Sequence, residues 1–317
     1  MNEYTRRAFS ISLAAALAAP VAFALTGCGS SGATSGSSAA SGGASGGSTG
    51  SSTSAASSAS DAPVMTADFN LVEAGKLTIG SDLAYPPMEY LDGDTPKGFG
   101  VAMMQEICRR IGLTCNFLAP QNFDTLVTQV AGGTKMDVAM SSITITDERA
   151  EQIDFTDPYF DSNQAIVVLE DADLSDRDEL DGQPVGAQSG STGEDWIREN
   201  LKSSTYVPYN TPAEALAALR TGKIVAAIYD EPVAQNNVAG EYDDCRILDV
   251  IATGEQYGIA VNKDNKALTS AINEALEAMQ ADGTMDDLKA TWIEGGKATS
   301  AASSAADAGA AASSAGE

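Results

Sequence analysis

Two low-complexity stretches confine the folded part of this chain to its middle. Residues 29–63 are mostly Gly, Ser, Ala and Thr, with almost no charge and no apolar period. Such a sequence buries too little surface to offset the entropy of ordering it, so it reads as a flexible tether. Residues 297–317 are again rich in Ala and Ser and read as a disordered tail. The folded body is expected within about residues 64–296, a length that permits two modest lobes.

The N-terminus points to export. Arg6-Arg7 precede an apolar run over residues 11–25 that is too short and too alanine-rich for a spanning helix, and it reads as the core of a signal peptide. Thr5-Arg6-Arg7-Ala8-Phe9 resembles a twin-arginine export signal, and Leu25-Thr26-Gly27-Cys28 resembles a lipobox. Residues 1–28 are therefore expected to be a lipoprotein signal, cleaved before Cys28, whose thiol carries the lipid at the outer face of the cell membrane. Stable anchoring takes two or more acyl chains. The competing reading is a general secretory peptide followed by a chance cysteine.

Composition removes several functions. The chain has 18 Lys+Arg against 44 Asp+Glu, a net charge of −26, which argues against nucleic acid or an anionic membrane surface as partner. The acids are spread along the chain and read as a solvated surface, so they do not by themselves select a cationic ligand. With no histidine, His-based general bases, Ser-His-Asp and Cys-His nucleophiles and most zinc sites are excluded. No metal or cofactor is expected. Of the four cysteines, Cys28 is assigned to lipid. Cys108 and Cys115 lie close together, for which a disulfide is the default in an exported protein, and Cys245 is left over.

Inside the body, strand-like and helix-like segments alternate. Residues 76–80, 115–118 and 136–140 read as strands, with helices over 99–111 and 123–131 between them. The pattern repeats as strand 184–187, helix 193–201, strand 206–208, helix 212–221 and strand 224–228. A long amphipathic helix follows over 266–281, with Leu268, Ile272, Ala275, Leu276 and Met279 on one face and Gly283 at its end. This order predicts α/β lobes with mostly parallel sheets, whose ligands sit on the loops at the carboxyl ends of strands.

Four such loops carry candidate chemistry. In residues 80–89, Asp82 offers a carboxylate and Tyr85 a flat apolar face, and two prolines stiffen the loop. In 140–149, Ser141, Ser142 and Thr144 supply hydroxyls, Thr146 is a plausible N-cap, and Arg149 falls in the first helical turn. That is an unfavourable place for a cation, and it suggests an anion nearby. A surface Arg149 paired with Glu148 or Glu151 is the equal alternative. In 188–193, Gln188 and Thr192 flank glycines at a helix start, either a carboxylate site or an ordinary capped turn; no Walker lysine is present. In 229–232, Asp230 ends a buried-looking strand and either takes an ammonium group or caps the helix begun by Pro232.

Taken together, these elements resemble the family 3 extracellular solute-binding proteins, the amino-acid receptors of ABC importers. The resemblance covers nearly all of residues 76–293. It is strongest from Met136-Asp137 through Ser141-Ser142-Ile143-Thr144-Ile145-Thr146-Asp147-Glu148-Arg149 to Asp154-Phe155-Thr156-Asp157-Pro158-Tyr159. Cys108 and Cys115 match the close disulfide of the histidine and lysine/arginine/ornithine receptors. An extra residue in Gly132-Gly133-Thr134-Lys135 and the leftover Cys245 depart from the pattern.

The resemblance implies a two-lobed periplasmic-binding-protein fold of the second type, closing as a monomer on an amino acid delivered to a membrane permease. Tyr85 would stack on the ligand, with Phe123 opposite. Ser142 and Thr144 would bind its main-chain groups. Arg149, helped by Thr192, would hold the α-carboxylate, Asp230 the α-ammonium, and Asp82 the side chain. Lobe 1 is expected over 64–160 and 258–293, lobe 2 over 165–253, and hinge crossovers at 161–164 and 254–257. Two rival readings share the fold: an enzyme such as a cyclohexadienyl dehydratase, using Asp82, Glu89 or Asp230, and an amino-acid sensor domain.

Overall fold

The computed structural model describes residues 69–294. The export signal, Cys28, the tether at 29–63 and the tail at 297–317 lie outside the described residues. In chain order the elements are β1 (Lys76–Gly80), β2 (Ala84–Tyr85), β3 (Glu89–Asp92), β4 (Thr95–Lys97), α1 (Phe99–Ile111), β5 (Thr114–Phe117), α2 (Leu126–Gly132), β6 (Val138–Ala139), α3 (Asp147–Ala150), β7 (Asp154–Phe155) and β8 (Phe160–Leu169). There follow β9 (Pro184–Gln188), α4 (Thr192–Asn200), β10 (Thr205–Tyr209), α5 (Pro212–Arg220), β11 (Ala226–Asp230), α6 (Glu231–Val238), β12 (Cys245–Tyr257), β13 (Ala260–Val261), α7 (Lys266–Ala281) and α8 (Thr284–Lys289).

Two five-stranded sheets organise these elements, one in the order β5-β1-β6-β13-β7 and the other β10-β9-β11-β8-β12. Within each sheet a single strand opposes the rest: β13 in the first and β8 in the second. The reason is the connection that precedes it. Parallel neighbours need a helical crossover, whereas β8 and β13 are entered directly by extended chain from the other sheet. The two crossing segments run side by side, with Phe160 paired to Tyr257, Asp161 to Gln256 and Ser162 to Glu255. Under them Phe99, Tyr159, Phe160 and Tyr257 form an aromatic cluster, in which Phe160 and Tyr257 stack at 5.8 Å.

The helices follow their apolar stripes. In α1, Val101, Met104, Ile107, Cys108 and Ile111 are buried, and α7 buries Leu268, Ile272, Ala275, Leu276 and Met279 and packs on α1. Cys108, near the end of α1, is joined to Cys115 on β5 with 5.8 Å between their Cα atoms. Cys245 is buried at the start of β12, and burial, with Asp244 beside it, pushes its thiol up to about 11, which makes it unreactive near neutral pH.

Some elements differ from the sequence expectation. The meander β2-β3-β4 begins within the loop expected at 80–89 and continues to Lys97, where no strand was expected, and the strand expected at 224–228 runs two residues later, placing Tyr229 and Asp230 within β11. The expected third strand at 136–140 shortens to β6, although the amides of Asp137 and Met140 still donate to the Thr78 and Gly80 carbonyls of β1, and the Asp137 carboxylate accepts from the amides of Val72 and Thr78.

Gly98, between β4 and α1, has φ 115°, and a Cβ there would lie 2.4 Å from the Met88 carbonyl oxygen. Backbone atoms cannot move aside cheaply. Gly98→Ala should destabilise the protein by at least about 2 kcal/mol, read as a lower urea midpoint at unchanged slope.

Candidate functional site

The four strand-end loops converge on one cleft between the sheets. Tyr85, Phe123, Ser141, Ser142, Thr144, Arg149, Gln188, Thr192 and Asp230 line a common cavity together with Gln164, Ser191 and Tyr229. Asp82 lies directly behind it, bonded to Ser141 and Gln188. All ten side chains expected from the sequence are therefore at one place. The cavity volume is about 20 Å³, room for roughly one water molecule. The lobes are closed on one another.

Closure is visible in the bonds that cross the cleft. Gln188, at the end of β9, donates across the cleft from Nε2 to Asp82 Oδ2 at 2.9 Å, and within the first lobe Ser141 donates to Asp82 Oδ1 at 2.8 Å. Arg149 donates to the Thr144 carbonyl at 2.7 Å and, across the cleft, to the Gly190 carbonyl at 2.8 Å. Its guanidinium sits 5.7 Å from the centre of the Phe123 ring, so Phe123 is a platform for Arg149 in this arrangement. Gly190 (φ 75°) approaches the opposite lobe so closely that a Cβ on it would lie 2.9 Å from Asp124 Cα.

Local capping explains how Arg149 is aimed. Thr146 precedes α3, and its hydroxyl accepts from the Arg149 amide at 3.2 Å, which fixes the first turn. Ser142 is buried with φ 47°, a left-handed conformation that is uncommon outside glycine and concentrates at functional sites. Ser191 caps α4 by accepting from the Glu194 amide, leaving Thr192 to face the cleft.

Asp230 does not cap the helix that follows it. Its carboxylate accepts instead from Tyr257 Oη at 2.6 Å and from Gln164, and its amide donates to Tyr85 Oη at 3.2 Å. Burial, and then the nearby Glu255 carboxylate, push its pKa up to about 6. Burial also raises Asp82, against the hydrogen bonds from Gln188 and Ser141. Burial lowers Arg149, and Asp195, Asp230, Glu255 and Glu148 act in the opposite sense.

Sequence reasoning missed Gln164, Glu255 and Tyr257. They lie on the crossover strands, and their one available signal was that position. Glu255 Oε2 accepts from Thr144 at 3.1 Å, Gln164 at 3.1 Å and Thr192 at 2.9 Å. The site thus holds one arginine and three acids, yet none of the ion pairs among the described residues includes Asp82, Arg149, Asp230 or Glu255. Charges held apart on facing walls suit a zwitterion with its own opposite charges to supply.

Residues 77–295 match the bacterial extracellular solute-binding proteins, family 3. The L-cystine-binding protein TcyJ of Escherichia coli is 30% identical over 225 residues, covering 70% of this chain and 84% of that protein. The putative ABC transporter arginine-binding protein 2 of the same organism is 31% identical over 239 residues, covering 73% and 96%. Among solved structures, an ancestral arginine-binding protein bound to arginine superposes with a TM-score of 0.66 at 34% identity, covering 69% of this chain and 98% of that one.

Beside the cleft, Glu89 is fully buried, and neither carboxylate oxygen has a hydrogen-bond partner. Burial, then Asp82, hold its pKa well above the usual range. The folded state therefore keeps a proton that the unfolded state gives up above about pH 4.3, so Glu89 costs stability as pH rises from there toward its folded pKa, by up to about 1.4 kcal/mol per pH unit. Glu89→Gln should remove that slope. Urea unfolding at pH 5 and pH 7 should show the variant gaining on the wild type at the higher pH.

Proposed function

Because the chain belongs to the bacterial extracellular solute-binding proteins of family 3, we propose that it is the receptor of an ABC importer and that it captures a polar amino acid by closing its two lobes. The observation that carries this reading is the placement of Arg149 and Asp230 on opposite walls of the cleft with no ion pair between them. Arg149 takes the α-carboxylate bidentately, with Thr192 across the cleft, and Asp230 takes the α-ammonium. Ser141, Ser142 and Thr144 complete the main-chain contacts. Tyr85 and Phe123 flank the ligand, and Asp82 with Gln188 meets its side chain. The receptor works as a monomer and performs no chemistry, and Cys28 tethers it by lipid to the outer face of the membrane through the 29–63 segment.

The side-chain end of the pocket excludes acids better than it selects bases. A distal carboxylate would face Asp82 with no cation to offset it. A distal ammonium or guanidinium would pair with Asp82, and an amide would donate to it. Cationic amino acids rank first, glutamine second and cystine third. Relatives named for arginine, cystine and glutamine binding support that set.

A thermal-shift screen of the twenty amino acids, ornithine and cystine tests the reading, with competition on Asp82→Asn to rank the side chain. Asp82→Asn should lose arginine or lysine far more than glutamine, and tight glutamate binding by the wild type would sink the assignment of this end. By titration calorimetry, Arg149→Ala should lose about 2–5 kcal/mol of binding free energy while its unfolding changes little. Wild-type affinity would mean that the carboxylate is held elsewhere.

Closure itself has a separate test. Gly190→Ala places a methyl group against the Asp124 backbone only when the lobes meet. It should weaken ligand binding at least tenfold, and most of that loss should appear as faster dissociation by stopped-flow, because the closed state is the one penalised.

A further inference from the structure

Glu255 occupies a position that the amino-acid reading leaves without a role. It lies on β12 where the second crossover leaves lobe 2, opposite Ser162 of β8. Its Oε2 gathers donors from both lobes: Thr144 from the first, Thr192 from the second, and Gln164 from the neighbouring crossover strand. A carboxylate exposed at a hinge would be solvated by water. This one is turned inward.

Gln164 shows what lies between the acids. Its Nε2 donates to Asp230 Oδ1 and to Glu255 Oε2, and lies 3.2 Å from Thr192 Oγ1. One amide nitrogen with two hydrogens thus faces three acceptors, two of them carboxylates, while its Oε1 is buried without a partner. Among the described residues no lysine or arginine is paired with either acid, and Arg149 is directed at two backbone carbonyls. The mutual repulsion of Asp230 and Glu255 is felt in the raised pKa of Asp230.

A nitrogen carrying three hydrogens and a full positive charge fits between these acceptors better than a neutral amide does, since each bond it makes to a carboxylate is charge-assisted. We propose that Glu255 is a second acceptor for the ligand's α-ammonium group, working beside Asp230, with the Gln164 amide giving way when the ligand enters. This rests on the amino-acid reading above. Thr144 and Thr192 orient the Glu255 carboxylate from opposite lobes, so the ammonium meets both acids only in the closed state.

The test separates recognition from bracing of the hinge. L-arginine and 5-guanidinopentanoate, which is arginine without its α-amino group, are titrated into wild type and Glu255→Gln by calorimetry. L-glutamine and glutaramate serve as the pair if arginine is not bound. Glu255→Gln should weaken the amino acid at least tenfold and the des-amino analogue less than threefold. Equal losses for both, as expected of a residue that only braces the hinge, would overturn the proposal, and so would wild-type affinity for the amino acid. For any other amino acid found by the thermal-shift screen, its des-amino analogue forms the pair, and if the wild type binds none of those screened, the amino-acid reading fails together with this inference. If Arg149→Ala abolishes binding while Glu255→Gln is silent, only the inference falls.

Discussion

Four charged groups at the cleft, Arg149, Asp82, Asp230 and Glu255, have no ion-pair partner among the described residues. Removing a charged group from water costs several kcal/mol unless good hydrogen bonds compensate. Arg149, Asp82, Asp230 and Glu255 are each compensated by neutral donors or acceptors: carbonyls for the guanidinium, and hydroxyls and amides for the acids. An arginine and an aspartate brought together would satisfy each other and leave nothing for a zwitterion. The scaffold keeps them apart by placing Arg149 on α3 of the first lobe and Asp230 at the end of β11 in the second sheet.

The crossovers are the two links that carry the chain between the sheets, and they run side by side. β8 and β12 extend from the crossing deep into lobe 2 and stay paired beside the aromatic cluster. The register is irregular between Ile251 and Glu255, where the pairing with β8 skips forward. The interruption leaves Ala252, Thr253 and Gly254 outside the register with β8.

The legible part of the site was the part encoded locally. Gly80-Ser81-Asp82, Ser141-Ser142, Gln188-Ser189-Gly190 and Tyr229-Asp230 each end or follow a short apolar strand, so position alone placed their side chains at the cleft. Gln164 and Glu255 were not legible in this way, because a polar residue in an extended segment looks the same whether it faces solvent or a neighbouring lobe. β12 hid for the same reason: much of Ile251-Ala252-Thr253-Gly254-Glu255-Gln256 is exposed and shows no clean alternation. The meander at Glu89 was missed because a strand of four residues carries little periodic signal. The burial of Glu89 itself follows from tertiary packing, which no local pattern reports.

The same connectivity has a consequence for how the chain reaches this state. Lobe 2 is one uninterrupted stretch and has all of its strands once Tyr257 has emerged. Lobe 1 is not: β13, at Ala260–Val261, inserts between β6 and β7, and α7 packs against α1, more than 150 residues earlier in the chain. A nascent chain therefore carries an unfinished first sheet, with β6 and β7 lacking the strand between them, throughout the synthesis of lobe 2. Contacts so distant in sequence form late, and the open edges are the kind of surface on which chains aggregate. The lobe that comes first in the chain is thus the last to have all of its strands available.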